Sequence, residues 1–275
     1  MADAETVQPR WGRSTSSAHT ELARLSRDWT KLGLDDPLWA VCVDPDRRGG
    51  RWDVAQFMAS GQAEIAAALK RLDQLGIGPA RSAALDFGCG VGRLTAALSD
   101  YFDSVTGVDI SLSMLDRARS LLAELPACRV VHNARPDLRL FPDASFDLVY
   151  SSLVLQHMPR ALACAYLAEF VRVTRPGGAV VILVPDAHKP TPGGAVYALA
   201  PPRFTGLIQQ RIFGYPAPMR MTTLPARRVR REVERCGARL VSSDPRSGVG
   251  QHWRMKCHFI ARDAPSAGSD LAGPR

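Results

Sequence analysis

No stretch of 18 or more apolar residues occurs in the 275-residue chain, so nothing in it reads as a membrane-spanning helix. The first 20 residues are too polar to supply the apolar core of a secretion signal. Lysine is scarce: only Lys31, Lys70, Lys189 and Lys256 occur, and the formal net charge of +8 therefore rests on arginine. That skew fits codon composition better than a nucleic-acid-binding surface, so nucleic acid is disfavoured as a partner. Paired cysteines are missing too. Cys42, Cys89, Cys128, Cys164, Cys236 and Cys257 lie far apart, without the spacing of a structural zinc site or a redox dithiol. No two of the six histidines sit three or four residues apart, and no metal is expected. The chain reads as cytoplasmic, with reduced thiols and with nothing to fix its oligomeric state.

What is present is enough apolar material, 46% of residues, for a buried α/β core. Residues 1–20 and 264–275 are rich in small and polar residues and read as disordered tails. Residues 21–80 read as an N-terminal helical cap, with Trp29, Trp39, Trp52 and Phe57 as packing side chains and a helical pattern from Gly61 to Leu75. From Ala83 short apolar runs alternate with amphipathic helices, the pattern of a parallel sheet wound by crossover helices. Strands are expected at Ala83 to Phe87, Ser104 to Asp109, Arg129 to His132, Phe146 to Ser151 and Ala179 to Val184. Helices are expected near Arg93 to Ser99, Ser113 to Leu125 and Ala161 to Thr174, and Arg175-Pro176-Gly177-Gly178 reads as a turn. Residues 185–223 read as a lid insertion with one short helix around Phe204 to Phe213. A helix carrying Val229 and Val233 and two closing strands, Ala238 to Ser243 and His252 to Ala261, complete a domain over 81–263. The fold class is a Rossmann-like, doubly wound, mostly parallel seven-stranded sheet with an antiparallel final strand.

The run Asp86-Phe87-Gly88-Cys89-Gly90-Val91-Gly92-Arg93 lies between the first strand and its helix. Glycines there allow a tight turn and close approach of a ligand, and the helix start offers free N–H groups. A dinucleotide fingerprint would need glycine at position 93, which is arginine, and a phosphate-cradling loop would need a Gly-Lys-Ser/Thr ending. Both are lacking. Asp109 follows Gly88 by 21 residues and ends the second strand, where a carboxylate can accept both hydroxyls of a ribose. Asp86 would set a negative charge where a dinucleotide carries its pyrophosphate, but where S-adenosylmethionine carries an ammonium group.

This run resembles motif I of the class I S-adenosylmethionine-dependent methyltransferases. The likeness continues through Gly107-Val108-Asp109-Ile110-Ser111 with Met114, through Phe146 to Ser151, and through Leu167 to Gly178. It is strongest toward the branch of ubiquinone-biosynthesis and small-molecule enzymes. The resemblance implies S-adenosylmethionine as cofactor, bound by Asp86, Phe87, Gly88, Cys89, Gly90, Gly92, Arg93, Asp109, Ile110, Met114, Asn133, Ala134 and Ser151. Gly88, Gly90 and Arg93 would surround the methionine moiety, Asp109 the ribose, Met114 one face of the adenine, and Asn133 the adenine amino group.

The sulfonium is a strong electrophile, so holding a nucleophile in line supplies much of the rate. A hydroxyl acceptor would gain from a base, and His157 is the candidate; His188 and His252 read as structural. Tyr150-Ser151-Ser152-Leu153 stands where methylases of exocyclic base amines carry an Asn/Asp-Pro-Pro-aromatic motif. The expected function is methyl transfer to an O, N or C atom of a small molecule. The alternatives are an RNA or protein methyltransferase docking through Arg227, Arg228, Arg230 and Arg231, and a noncatalytic binding module.

Overall fold

The structure is a computed structural model and describes residues 15–248 and 250–264. Three helices precede the sheet: α1 (Thr15–Asp35), α2 (Pro37–Val41) and α3 (Val54–Gln74). The first begins inside the segment read as a tail, because Ala18, Leu22 and Leu25 recur at helical spacing and bury one face. Residues 1–14 and 265–275, the rest of the two expected tails, lie outside the described residues. Asp53 caps α3, accepting from Gln56 N at 2.8 Å, which starts this helix seven residues before Gly61.

The sheet and its crossover helices follow in the order β1 (Ala83–Phe87), α4 (Arg93–Ser99), β2 (Ser104–Asp109), α5 (Leu112–Leu121), β3 (Cys128–His132), β4 (Phe146–Ser152), α6 (Arg160–Val173) and β5 (Thr174–His188). Two short helices, α7 (Pro192–Leu199) and α8 (Pro202–Arg211), occupy the insertion, where one was expected. Then come α9 (Ala226–Glu234), β6 (Arg239–Arg246) and β7 (Trp253–Ala261). Strand order is β3-β2-β1-β4-β5-β7-β6, with β1 to β5 parallel and β7 antiparallel to both β5 and β6. The strand order reverses between β1 and β4, which opens a crevice over the carboxyl ends of these two parallel strands.

Alternation along the strands sorts the core into two layers. Leu85, Val149, Val180 and Ile182 face α6 and α9, while Ala84, Leu148, Tyr150 and Val181 face α3 and α4. Fully buried Ile65 and Leu72 of α3 each contribute roughly 1.5–3 kcal/mol on the second face. The expected turn at Arg175 to Gly178 is instead the first part of a 15-residue β5, and the register slips between Phe146 and Leu148 to admit it. Asp147 anchors this irregular entry by accepting from Arg175 at 2.9 Å and from Ala83 N at 2.8 Å.

Candidate active site

A cavity of about 940 Å³ lies over the carboxyl ends of β1, β2, β4 and β5. The glycine loop forms its floor. Gly88 and Gly90 adopt left-handed φ of 77° and 53°, and a Cβ on Gly88 would stand 2.2 Å from a Val154 methyl group. Gly92 is the N-cap of α4 with φ 88°, behind the cavity wall. Phe87, Gly88, Gly90, Arg93, Asp109, Ile110, Met114 and Asn133 line the cavity together with His157. Asp86, Cys89, Gly92, Ala134 and Ser151 do not.

Asp109 ends β2 with both carboxylate oxygens turned to backbone: Gly90 N donates at 2.9 Å and Ser111 N at 2.8 Å. Burial pushes its pKa up and these donors oppose the shift. One carboxylate thus closes the glycine loop and starts α5, with further lone pairs left to accept from a ligand.

The five residues outside the wall have structural reasons for being there. Asp86 follows Ala84 onto the face covered by α4, where Thr95 Oγ1 donates to it at 2.7 Å. Burial raises its pKa to about 7, against the Thr95 hydrogen bond and the Arg93 charge. Cys89 is packed beneath Gly107, and Ser151 donates to Phe87 O at 3.1 Å, tying β4 to β1. Ala134 is exposed. Asn133, though in the wall, has both ends of its amide engaged in its own turn, with Arg135 N at 3.1 Å and Asp137 O at 2.9 Å.

Glu64, Ser152 and Gln156 are polar lining residues that the sequence does not single out. Glu64 of α3 receives the Arg93 guanidinium at 2.9 Å, with both side chains largely buried, and it also accepts from Tyr150 at 3.2 Å. Gly61, one turn before Glu64, permits this approach: a Cβ there would stand 2.6 Å from Arg93 O. Ser152 Oγ and Gln156 Oε1 are buried polar atoms of the wall without a hydrogen-bond partner among the described residues. The signal for Glu64 was a carboxylate on the apolar side of a helix, but only the fold pairs it with Arg93.

His157 ends a short helical turn (Leu155–His157) after β4. Its Nδ1 lies 2.8 Å from Arg220 O, which makes Nδ1 the protonated nitrogen and leaves the lone pair on Nε2. Burial lowers its pKa to about 4, so the ring is neutral at pH 7. Trp29 of α1 packs edge-on against it at 4.9 Å, and Thr222 donates to the carbonyls of Gln156 and Met158 at 3.1 Å. Just upstream, Leu153 holds a left-handed φ of 62°, a conformation leucine adopts at a cost of order 1–3 kcal/mol and one that clusters at functional sites. Among the described residues no cluster of three His, Cys, Asp or Glu could hold a metal ion, and no helix is long and apolar enough to cross a membrane. The arginines of α9 show no shared ligand: Arg227, Arg230 and Arg231 are exposed, and Arg228 reaches Glu232 at 3.6 Å.

Residues 85–182 match the family model described as a methyltransferase domain. By that match and by the strand order above, this stretch is similar to a methyltransferase domain. The chain is 31% identical over 156 residues to a 2-methyl-6-phytyl-1,4-hydroquinone methyltransferase of Synechocystis sp., covering 56% of this chain and 48% of that one. It is 39% identical over 111 residues to a demethylmenaquinone methyltransferase of Staphylococcus aureus, covering 39% of this chain and 44% of that one. The chain thus spans about half the length of the curated relatives it matches. Among solved structures, the magnesium protoporphyrin IX methyltransferase of Synechocystis PCC 6803 with bound SAH superposes with a TM-score of 0.58 at 19% identity, covering 87% of this chain and 98% of that one, a likeness of fold.

Proposed function

We propose that the protein transfers the methyl group of S-adenosylmethionine to an O or C atom of a small molecule held in the same cavity. The observation that carries this is continuity: the glycine loop and Asp109 share one cavity with His157, Gln156, Trp29 and Tyr197, so cofactor and acceptor have adjoining places. Relatives that methylate small molecules support the acceptor class, and neither the nucleic-acid or protein alternative nor the noncatalytic one is favoured by them.

The residues present fit the cofactor. Asp109 is an acceptor for the ribose, Gly88 and Gly90 leave backbone bare beneath the methionine moiety, and Met114 is a polarizable apolar neighbour for the adenine. The unpartnered Gln156 Oε1 and Ser152 Oγ are free to take an ammonium or hydroxyl hydrogen. Asn133 is a weaker adenine contact, since its amide is already engaged. Asp86 acts on the loop from behind, and it is Arg93 with Glu64 that presents charge to the cavity.

Bound S-adenosylmethionine supplies an electrophilic methyl group. The chain's own part is to exclude water, to align the acceptor, and, for a hydroxyl acceptor, to take its proton at His157 Nε2 while Nδ1 stays fixed on Arg220 O. A low pKa makes this histidine a weak base that is always ready at neutral pH. Because β5 runs on to His188, residues 189–223 are proposed as the lid, and residues 21–80 as the cap.

The test is transfer of labelled methyl from S-adenosylmethionine into fractionated cell extract, before and after nuclease and protease. Label in a small-molecule fraction that survives both treatments is expected. Label lost with protease or nuclease would overturn the acceptor class, and no cofactor binding by calorimetry would overturn the activity itself.

A further inference from the structure

The helices of the insertion expose large apolar side chains on their outer side. In α8 Gln209 points inward, where it is buried, accepts from Met219 N at 2.8 Å and donates to Met219 O at 3.1 Å. Two of its apolar side chains, Phe204 and Leu207, are exposed, followed by Ile212 and Phe213 just past the helix end. From α7, Val196 and Leu199 join them, and Leu199 is 85% exposed. A water-soluble helix buries its apolar stripe, and isolated exposed leucines are ordinary, but six large apolar side chains within 18 residues are not.

Charge accompanies this patch. From residue 187 to residue 231 the chain contains no aspartate or glutamate, while Lys189, Arg203, Arg211, Arg220, Arg227, Arg228, Arg230 and Arg231 all fall within it. Arg203 and Arg211 flank Phe204 and Leu207 on the exposed face, and among the described residues no carboxylate lies within ion-pair distance of either. Apolar side chains beside unopposed arginines match the headgroup boundary of an anionic bilayer, where the first enter the acyl region and the second meet phosphate. A protein partner would need an acidic groove of matching shape, for which nothing on this face selects.

We propose that the α7–α8 face docks on an anionic lipid surface. The contact is peripheral and reversible, with Leu199, Phe204, Leu207, Ile212 and Phe213 as anchors and Arg203 and Arg211 as the electrostatic part. The inner side of the same two helices lines the cavity through Tyr197 and Gln209, so docking places the membrane one helix thickness from the acceptor's place.

The test is sedimentation of the full chain with vesicles of equal parts phosphatidylglycerol and phosphatidylcholine, and with vesicles of phosphatidylcholine alone. Binding to the mixed vesicles, weakened by salt and much reduced on phosphatidylcholine, is expected. The double variant Phe204→Gln, Leu207→Gln should lower the partition coefficient at least about tenfold. Arg203→Gln with Arg211→Gln should lower it about fivefold per charge on the mixed vesicles only. These side chains are exposed, so melting temperature and cofactor affinity should stay unchanged and certify the fold. No binding to mixed vesicles, or binding that neither variant weakens, would overturn the proposal. Equal binding to both vesicle types would overturn its anionic part. Light scattering that shows a dimer broken by Phe204→Gln, Leu207→Gln, without vesicle binding, would assign the face to a second copy of this chain instead.

Discussion

At the glycine-loop end of the cavity the groups available to a ligand are bare backbone and the Asp109 carboxylate, both held by local backbone, beside an Arg93 guanidinium that Glu64 of the cap pairs. Gly88 and Gly90 sit in fixed turns, and Asp109 is gripped by two backbone donors. At the other end the groups are large side chains from distant segments: Trp29 of α1 against His157, Thr222 strapped to the turn after β4, and Ser152 and Gln156 with buried atoms that nothing satisfies. One end is preorganised by local chain geometry and is suited to a constant ligand. The other is assembled from the cap and the insertion, so it can vary in shape without disturbing the first, as expected when one cofactor serves many acceptors.

The sharpest way to break that contrast is at the joint between cap and loop. Glu64→Ala leaves the Arg93 guanidinium buried without its carboxylate, and such removals cost about 3–5 kcal/mol. Chemical denaturation should show this loss, with Glu64→Gln losing less. A change below about 1 kcal/mol would mean that the pair behaves as a solvated surface bridge and that the cap is not fastened to the loop. Next in size is Asp109→Ala, which removes charged hydrogen bonds to a bound nucleoside worth about 1–3 kcal/mol, or roughly 5- to 150-fold in Kd. Calorimetry with S-adenosylhomocysteine checks it. Unchanged affinity would show that Asp109 serves the loop alone and would remove the distinction between the two ends.

The same division separates what could be read in the sequence from what could not. The strands, their order of alternation with helices, the glycine loop and Asp109 were legible because each rests on local pattern: apolar period, turn glycines, a carboxylate at a strand end. Asp86 illustrates the limit. Its spacing from Gly88 is right for a cofactor contact, yet strand alternation turns it toward Thr95 and α4, away from the cavity. Glu64, Ser152 and Gln156 carry no motif at all, since their place depends on where α3 packs and how the turn after β4 is strapped. The insertion was legible as an insertion, but α7 was not, because Gly193 and Gly194 in its first turn are poor helix formers that the Thr191 cap, Pro192 at the first helical position and tertiary contacts override.

The two ends also differ in how they respond to pH, and the signs oppose. Asp86 near the glycine loop has a folded pKa of about 7, above its ordinary 3.8, so its contribution is full below pH 4 and is lost as pH rises through 7. His157 at the other end has a folded pKa of about 4, below its ordinary 6.5, so its contribution is full above pH 6.5 and is lost as pH falls through 4. Between about pH 4 and 6.5 the two slopes largely cancel, each being at most about 1.4 kcal/mol per pH unit. Buried His258, also lowered to about 4, adds to the His157 side. Asp86→Asn should therefore steepen the rise of stability with pH across this window, and His157→Gln should flatten or reverse it. Denaturation midpoints at half-unit steps of pH would show it. If both variants shift the slope in the same direction, the burial assigned to one end of the cavity is wrong.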